Sequence, residues 1–124
     1  MLKQNIPVLR VFDVAKAKEF YIDWLGFTLA WEHEFEPGMP LYFSIKRDDI
    51  ELHLSEHVGD ATPGSKVFIV CNEIVKYHTE LQSRPYKYFR PGLEKTFYNA
   101  LCIDVIDPFG NKISFNEFLP EEKK

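Results

Sequence analysis

Cysteine is scarce in this chain of 124 residues, and basic residues are outnumbered by acidic ones. The two cysteines, Cys71 and Cys102, both stand inside apolar runs. We therefore expect buried, reduced thiols that form neither a disulfide nor a metal site. Lysine and arginine total 15 against 19 aspartates and glutamates, which gives a net charge of −4. Because phosphate binding needs a clustered excess of cations, this balance argues against a nucleic acid partner.

A long hydrophobic run is also missing. No stretch approaches the roughly 20 apolar residues that a membrane span requires. The N-terminal residues Met1–Asn5 do not have the apolar core of a signal peptide. We therefore expect a cytoplasmic protein with no membrane partner. The length, with a hydrophobic share of 45%, suits a single domain over residues 1–124.

Aromatic residues, in contrast, are abundant, with 11 phenylalanines and 6 tyrosines in an aromatic share of 15%. This exceeds what a minimal core requires, so we expect some of the rings to line a surface for a partner. The alternative for any single ring is a place in a Phe-rich core. Since the net charge is negative, a neutral or cationic small molecule is the better match for such a surface.

The first half of the chain predicts the order strand, helix and three strands. The opening run is apolar and β-branched, and it ends at Asp13, a residue type that caps helices. From Val14, apolar side chains recur at helical spacing until Gly26. A further strand pattern then alternates Phe27, Leu29, Trp31, His33 and Phe35 with a charged face. The predicted strands of this half cover residues 6–11, 27–36, 41–45 and 50–54.

After a polar loop at residues 59–64, the same order begins again. A strand leads to Asn72-Glu73 as a helix cap, and a helical stripe follows until Ser83-Arg84-Pro85 breaks it. Three strands complete this half, and the last two are joined by the turn Asp107–Asn111, where Gly110 accepts a positive φ. The repeat predicts an α+β fold with two tandem βαβββ modules, at about residues 5–57 and 65–118. The predicted strands are 66–71, 86–89, 101–106 and 112–118.

Several motifs occur in a fixed order along nearly the whole chain. They are Ile6–Val14, Phe20-Tyr21, Leu25-Gly26-Phe27, Leu52–His57 and Asp107–Asn111. Together they resemble the glyoxalase/bleomycin-resistance/dioxygenase superfamily, and most of all its bleomycin-resistance branch. The resemblance implies cupped mixed sheets with the helices on their outer faces. It also implies a homodimer in which two chains form ligand crevices.

Metal-dependent members of this superfamily place up to four ligands on the first and last strands of the two modules. Carried onto this chain, those positions are Ile6, Glu51, Lys66 (or Ser65 if the register differs by one) and Ser114. Only Glu51 can hold a divalent ion, because neither an isoleucine methyl nor an ammonium group can donate to a metal. We therefore expect no metal and no cofactor.

Glu51, His53 and Ser55 are the predicted polar lining of a cleft. Because the apolar residues that alternate with them should pack on the helix, the pleat turns these three to the opposite face. The alternative is that they are ordinary solvated residues. No nucleophilic triad is evident, since no third group orients His53 and Ser55. Glu51 and His53 are the best pair for acid/base chemistry, and His53 is the best additional ligand if a metal binds.

Rings and carboxylates are mixed over residues 31–38. This combination suits a flat cationic ligand, because rings stack on it and carboxylates attract its charge. The alternative is a strand with a buried ring face and a solvated acidic face. In bleomycin-binding relatives, a tryptophan in a Pro-Trp-Gly setting stacks on the drug. The corresponding segment here is Thr96–Asn99, so the resemblance implies that Tyr98 takes this place. The full predicted ligand-binding set is Trp31, Phe35, Tyr42, Glu51, His53, Ser55, Tyr98 and Ser114.

Three functions follow from these observations. The favoured one is a metal-independent binding protein of the bleomycin-resistance type, which sequesters a planar cationic antibiotic or a similar compound in a dimer cleft. The second is an enzyme of the superfamily, a lyase or dioxygenase, with an atypical metal site around Glu51 and His53. The third is a small dimeric module that senses a metabolite.

Overall fold

The computed structural model describes residues 1–84, 86 and 90–121. Within these residues the chain forms two mixed sheets of four strands each. The first sheet has the order β1-β4-β3-β2 and the second β5-β8-β7-β6, and the pairs β1/β4 and β5/β8 are parallel. The predicted α+β fold with two βαβββ units in tandem is therefore confirmed. The strands are β1 (Val8–Arg10), β2 (Thr28–Glu34), β3 (Leu41–Arg47), β4 (Ile50–Ser55), β5 (Lys66–Val70), β6 (Glu94–Lys95), β7 (Ala100–Ile106) and β8 (Lys112–Phe118).

The chain divides into two compact units. The first unit contains Met1–Ser65 and the turn Asp107–Asn111, and the second contains Lys66–Ile106 and the described residues from Lys112 onward. Both units contain fully buried apolar side chains, such as Phe43 and Leu52 in the first and Ile103 and Ile113 in the second. The prediction of one domain over residues 1–124 and the predicted module bounds stay predictions.

The first helix, α1 (Val14–Lys18), begins as predicted after Asp13, whose side chain accepts a hydrogen bond from the Lys16 amide at 3.0 Å. It continues as a π-helix over Glu19–Trp24, where the Leu25 amide donates to the Phe20 carbonyl five residues back. The helical pattern predicted from Val14 thus holds, but its second half is not α-helical. The aromatic side chains of this half are buried in the core: Phe20, Tyr21 and Trp24.

The second helix, α2 (Ile74–Ser83), ends where predicted, but the predicted cap is wrong. Glu73 has a left-handed backbone with φ of 54° and makes no capping hydrogen bond through its side chain. The free amide of Ile74 instead donates to Oε1 of Glu117 on β8 at 3.0 Å. The cap therefore comes from a residue far away in the sequence.

Replacing Glu117 with alanine should lower the free energy of unfolding by about 1 kcal/mol, because the first turn of α2 loses both its acceptor and a favourable negative charge. Urea denaturation measures this loss. The matched control is Glu73→Gly, which removes a side chain from a positive φ and should leave stability unchanged or higher. A loss at Glu73 as large as that at Glu117 would contradict the assignment of the cap.

Several strand boundaries differ from the predicted ones. β1 is shorter than residues 6–11, whereas β3 and β4 extend to Arg47 and Ser55. The predicted strand over residues 86–89 lies outside the described residues except for Tyr86, which is buried. Both cysteines are free thiols, as expected, and Cys71 is only half-buried. No helix in the described ranges is long and apolar enough to cross a membrane.

The turn between β7 and β8 is held by a buried carboxylate. Asp107 Oδ1 accepts hydrogen bonds from the amides of Phe109 and Asn111 at 2.9 and 2.8 Å. Its Oδ2 accepts from Tyr21 Oη at 2.6 Å and from Asn111 Nδ2 at 2.9 Å. Asn111 Nδ2 also donates to the carbonyl of Arg10 on β1. As predicted, Gly110 has a positive φ, of 91°. The motif thereby fixes the turn to the helix and the first strand of the first unit.

Candidate functional site

The open face of the first sheet carries the predicted polar residues of β4. Leu52 and Leu54 are fully buried on the other face, so the predicted alternation of this strand is confirmed. Ser44 on β3 lies opposite His53. Cross-strand partners point to the same side of a sheet, so Ser44 shares the open face with His53 and Glu51.

Trp31 reaches this face because of a β-bulge in β2. Leu29 lies opposite Ile45, but Trp31 lies opposite Ser44, so Ala30 is an extra residue. The bulge reverses the alternation, which means that the predicted single face for Leu29 and Trp31 is wrong. The same reversal places Glu32, which lies opposite Phe43, on the buried side of the sheet.

Glu32 accordingly pairs with a basic residue of the first helix and does not lie beside the Trp31 ring. Its carboxylate forms an ion pair with Lys18 of α1 at 3.1 Å. On the open face, His53 contacts both the Trp31 ring and the carboxylate of Glu51. The negative charge beside His53 thus comes from Glu51 on β4, a strand that does not adjoin β2.

A chain of hydrogen bonds links four polar side chains on this face. Ser44 Oγ donates to Glu51 Oε2 at 2.8 Å, and His53 Nε2 lies 2.8 Å from the same oxygen. Tyr42 Oη lies 2.7 Å from His53 Nδ1. Because a carboxylate only accepts, Nε2 carries a hydrogen, and in the neutral imidazole Nδ1 accepts the Tyr42 hydroxyl hydrogen. Lys46 Nζ is 3.8 Å from Glu51 Oε1, with its side chain 55% exposed.

The rings of Tyr42 and His53 also pack against Trp31. Trp31 and Tyr42 are nearly parallel, with centroids 5.8 Å apart and planes at 13°. The His53 ring meets each of them edge-on, at 5.1 and 5.2 Å. Trp31 is 44% exposed and so offers a face for stacking. We call Trp31, Tyr42, Ser44, Glu51 and His53 the Trp31 platform.

The charges of the Trp31 platform are set by its hydrogen bonds. The bond from Ser44, and then that from His53, lower the pKa of Glu51 below its usual range. Burial raises the pKa of Tyr42, and the charges of Asp60 and Glu51 act in the same direction. At neutral pH the platform therefore combines an ionised carboxylate with a neutral phenol.

The lowered pKa of Glu51 predicts a pH-dependent stability. A carboxyl whose pKa is lowered on folding stabilises the protein above its unfolded pKa, and this stabilisation is lost as the pH falls through the folded one. We expect the wild type to be more stable than Glu51→Gln at neutral pH and the difference to vanish in acid. Chemical denaturation over a pH series measures it. Ser44→Ala, which removes the largest cause of the shift, should reduce the effect, and a pH-independent difference would contradict it.

Two other predicted residues of the first unit lie apart from the Trp31 platform. Ser55 is fully buried, and its Oγ donates to Asp60 Oδ2 at 2.6 Å and accepts from the His57 amide at 3.0 Å. Phe35 is 69% exposed and contacts His33 and His57, with ring centroids 4.4 and 5.6 Å away. The structure thus brings together Trp31, Tyr42, Glu51 and His53, but neither Ser55 nor Phe35 with them.

In the second unit, Tyr98 belongs to an aromatic cluster, of which the sequence predicted only Tyr98 as a site residue. Its Oη donates to Asn116 Oδ1 at 2.5 Å. Its ring forms a triangle with Phe68 and Phe118, with centroids 6.0–6.3 Å apart. Both phenylalanines are about half exposed, at 47% and 52%. Ser114 is buried and accepts a hydrogen bond from Asn116 Nδ2. Phe68 lies opposite Ser114 in the sheet, a relation that only the pairing register shows.

The residues carried over from metal-dependent relatives do not form a ligand set in either unit. Among the described residues, no three side chains of His, Cys, Asp or Glu are placed to hold a metal ion. Glu51 and His53 provide one carboxylate and one imidazole, and these are hydrogen-bonded to each other. Lys66 lies in register with Lys112, which adds a second cation near the position of an expected ligand.

A family model described as glyoxalase superfamily protein matches residues 1–122 of the chain. Bleomycin resistance proteins of Geobacillus stearothermophilus and Staphylococcus aureus are 27% identical to it over 130 residues, covering 90% of this chain and 94% of theirs. The solved structure of a bleomycin-binding protein complexed with bleomycin is similar, with a TM-score of 0.73 and 17% identity over 95% of this chain and 100% of that one. An antibiotic-binding protein from Streptomyces sp. CB03234 has a TM-score of 0.67 and 24% identity over 96% of this chain and 99% of that one.

Proposed function

We propose that this chain, which belongs to the glyoxalase superfamily, is a metal-independent binding protein that sequesters a planar, cationic antibiotic of the bleomycin type or a similar compound. The observation that carries the proposal is the Trp31 platform, where His53 contacts both a partly exposed indole and a carboxylate kept ionised by two hydrogen bonds. The indole stacks on a flat ring system and the carboxylate attracts its positive charge. Sequestration requires affinity without turnover.

The names of the relatives support the same class of ligand, since they are bleomycin resistance and antibiotic-binding proteins. We propose further that the chain acts in the cytoplasm as a homodimer of one domain per chain. Tyr98, which contacts Phe68 and Phe118, is the proposed second stacking ring. Phe35 remains a proposed ligand contact because it is exposed. Ser55 and Ser114 are buried, so we propose that they support the lining of the site rather than touch the ligand.

Calorimetric titration tests the proposal. Protein freed of metal by a chelator is titrated with metal-free bleomycin and, separately, with Zn²⁺, Mn²⁺ and Fe²⁺. We expect saturable binding of bleomycin by the metal-free protein. No heat with bleomycin, together with stoichiometric binding of a divalent metal, would overturn the proposal in favour of an enzyme with a metal site around Glu51 and His53.

A further inference from the structure

In each hydrogen bond of the Trp31 platform, the hydrogen points toward the Glu51 end of the chain of bonds. Ser44 and His53 Nε2 donate to Glu51, and the Tyr42 hydroxyl donates to His53 Nδ1 when the imidazole carries its hydrogen on Nε2. Every donor of these three side chains is thereby used inside the platform. Tyr42 Oη and Glu51 Oε1 keep free lone pairs within the described residues, since Lys46 Nζ at 3.8 Å from Oε1 is beyond hydrogen-bond distance. Both oxygens can only accept.

We propose that the Trp31 platform selects cations that carry N–H groups, amidinium or guanidinium above all, over cations without them such as quaternary ammonium or sulfonium. This inference rests on the proposed function and specifies its ligand. A planar cation with N–H groups can stack on Trp31 and donate to one of the free acceptors, Glu51 Oε1 above all, and such charge-assisted bonds are stronger than neutral ones. A cation without N–H groups keeps only the attraction of the ring and the charge.

Lys46 is the internal competitor for this cation. Its ammonium group faces Glu51 Oε1 from a side chain that is 55% exposed, so the pair is weak and opens at little cost. A bound ligand would displace Lys46 from the carboxylate. Replacing Lys46 with glutamine should therefore tighten the binding of any cation about threefold without changing the preference among cations.

The experiment compares benzamidine with phenyltrimethylammonium, which has the same ring and charge but no N–H group. Each is titrated into the full chain and followed by NMR chemical shifts of the Trp31 indole. Wild-type protein should bind benzamidine about tenfold more tightly, the amount expected for hydrogen bonds to a charged group. The preference should nearly disappear in Glu51→Gln and weaken in Tyr42→Phe, which keeps the ring.

The ratio of the two affinities is not changed by partial unfolding of a variant, because unfolding lowers both affinities together. The ratio also tests this inference separately from the proposed function. Equal binding of the two cations by the wild type, or a preference undiminished in Glu51→Gln, overturns the inference and leaves the proposed function standing. Saturable binding of bleomycin without any binding of benzamidine overturns it too. If neither cation nor bleomycin binds, the proposed function fails with it.

Discussion

Replacing Asp107 with alanine should lower the free energy of unfolding by about 3 kcal/mol or more, as measured by urea denaturation. The carboxylate accepts four hydrogen bonds and is 4% exposed. Its removal leaves two amides of the turn without acceptors and takes one acceptor from the buried Tyr21 hydroxyl, and each buried unpaired donor costs about 1–3 kcal/mol. The total is large against the marginal stability of a domain of this size.

Two further variants define the cause of this loss. Asp107→Asn keeps the shape but presents an amide donor to groups that themselves donate, so it should also destabilise the protein, by a smaller amount. Asp23→Ala changes an exposed aspartate of the π-helix and should stay within about 0.5 kcal/mol of the wild type. A loss below about 1 kcal/mol for Asp107→Ala would show that water replaces the carboxylate.

Replacing Trp31 with alanine should weaken bleomycin binding by roughly 1–3 kcal/mol, which is about tenfold to a hundredfold in affinity. The ring is partly exposed on an edge strand, so the stability of the fold should change little. Calorimetric titration of the variant measures the affinity. The expected loss comes from the stacking surface, because the polar side chains of the Trp31 platform hold one another through their own hydrogen bonds.

The matched control is Phe12→Ala, which removes another exposed ring of the first unit. Phe12 contacts Arg10 and Phe109 and belongs to no proposed site, so its loss should leave the affinity unchanged. Tyr98→Ala tests the second proposed ring. A large loss at Tyr98 with none at Trp31 would place the main stacking site in the second unit.

Local signals in the sequence were enough for much of the fold. The alternation of β4 separates buried Leu52 and Leu54 from the polar residues between them because burial on one face imposes a period of two. The Asp13 cap and the turn that contains Gly110 are also local, since each depends on residues a few positions apart. Features of this kind need no knowledge of the tertiary structure.

Other features depend on partners that the sequence order does not reveal. The cap of α2 comes from Glu117, which lies 43 residues from Ile74. The bulge at Ala30 carries no residue that marks it, yet it decides which face Trp31 occupies. One extra residue in β2 therefore brings Trp31 beside His53 on the open face and turns Glu32 to the other face, where it pairs with Lys18.

The residue types of the candidate site could be predicted from the sequence, but the hydrogen bonds between them could not. Glu51 and His53 could be assigned to one strand face, whereas the bonds to Tyr42 and Ser44 follow from the register between β3 and β4. That register also determines which oxygens remain free to accept. The direction of the hydrogen bonds, and hence the kind of cation favoured, appears only when the strands are paired.

We propose that the Trp31 platform is where a planar cation binds. The most direct test is an NMR titration of the isotope-labelled chain with metal-free bleomycin. We expect the Trp31 indole and His53 ring resonances to shift together and to saturate at one stoichiometry. Saturable binding that leaves both sets of resonances unmoved would contradict the claim.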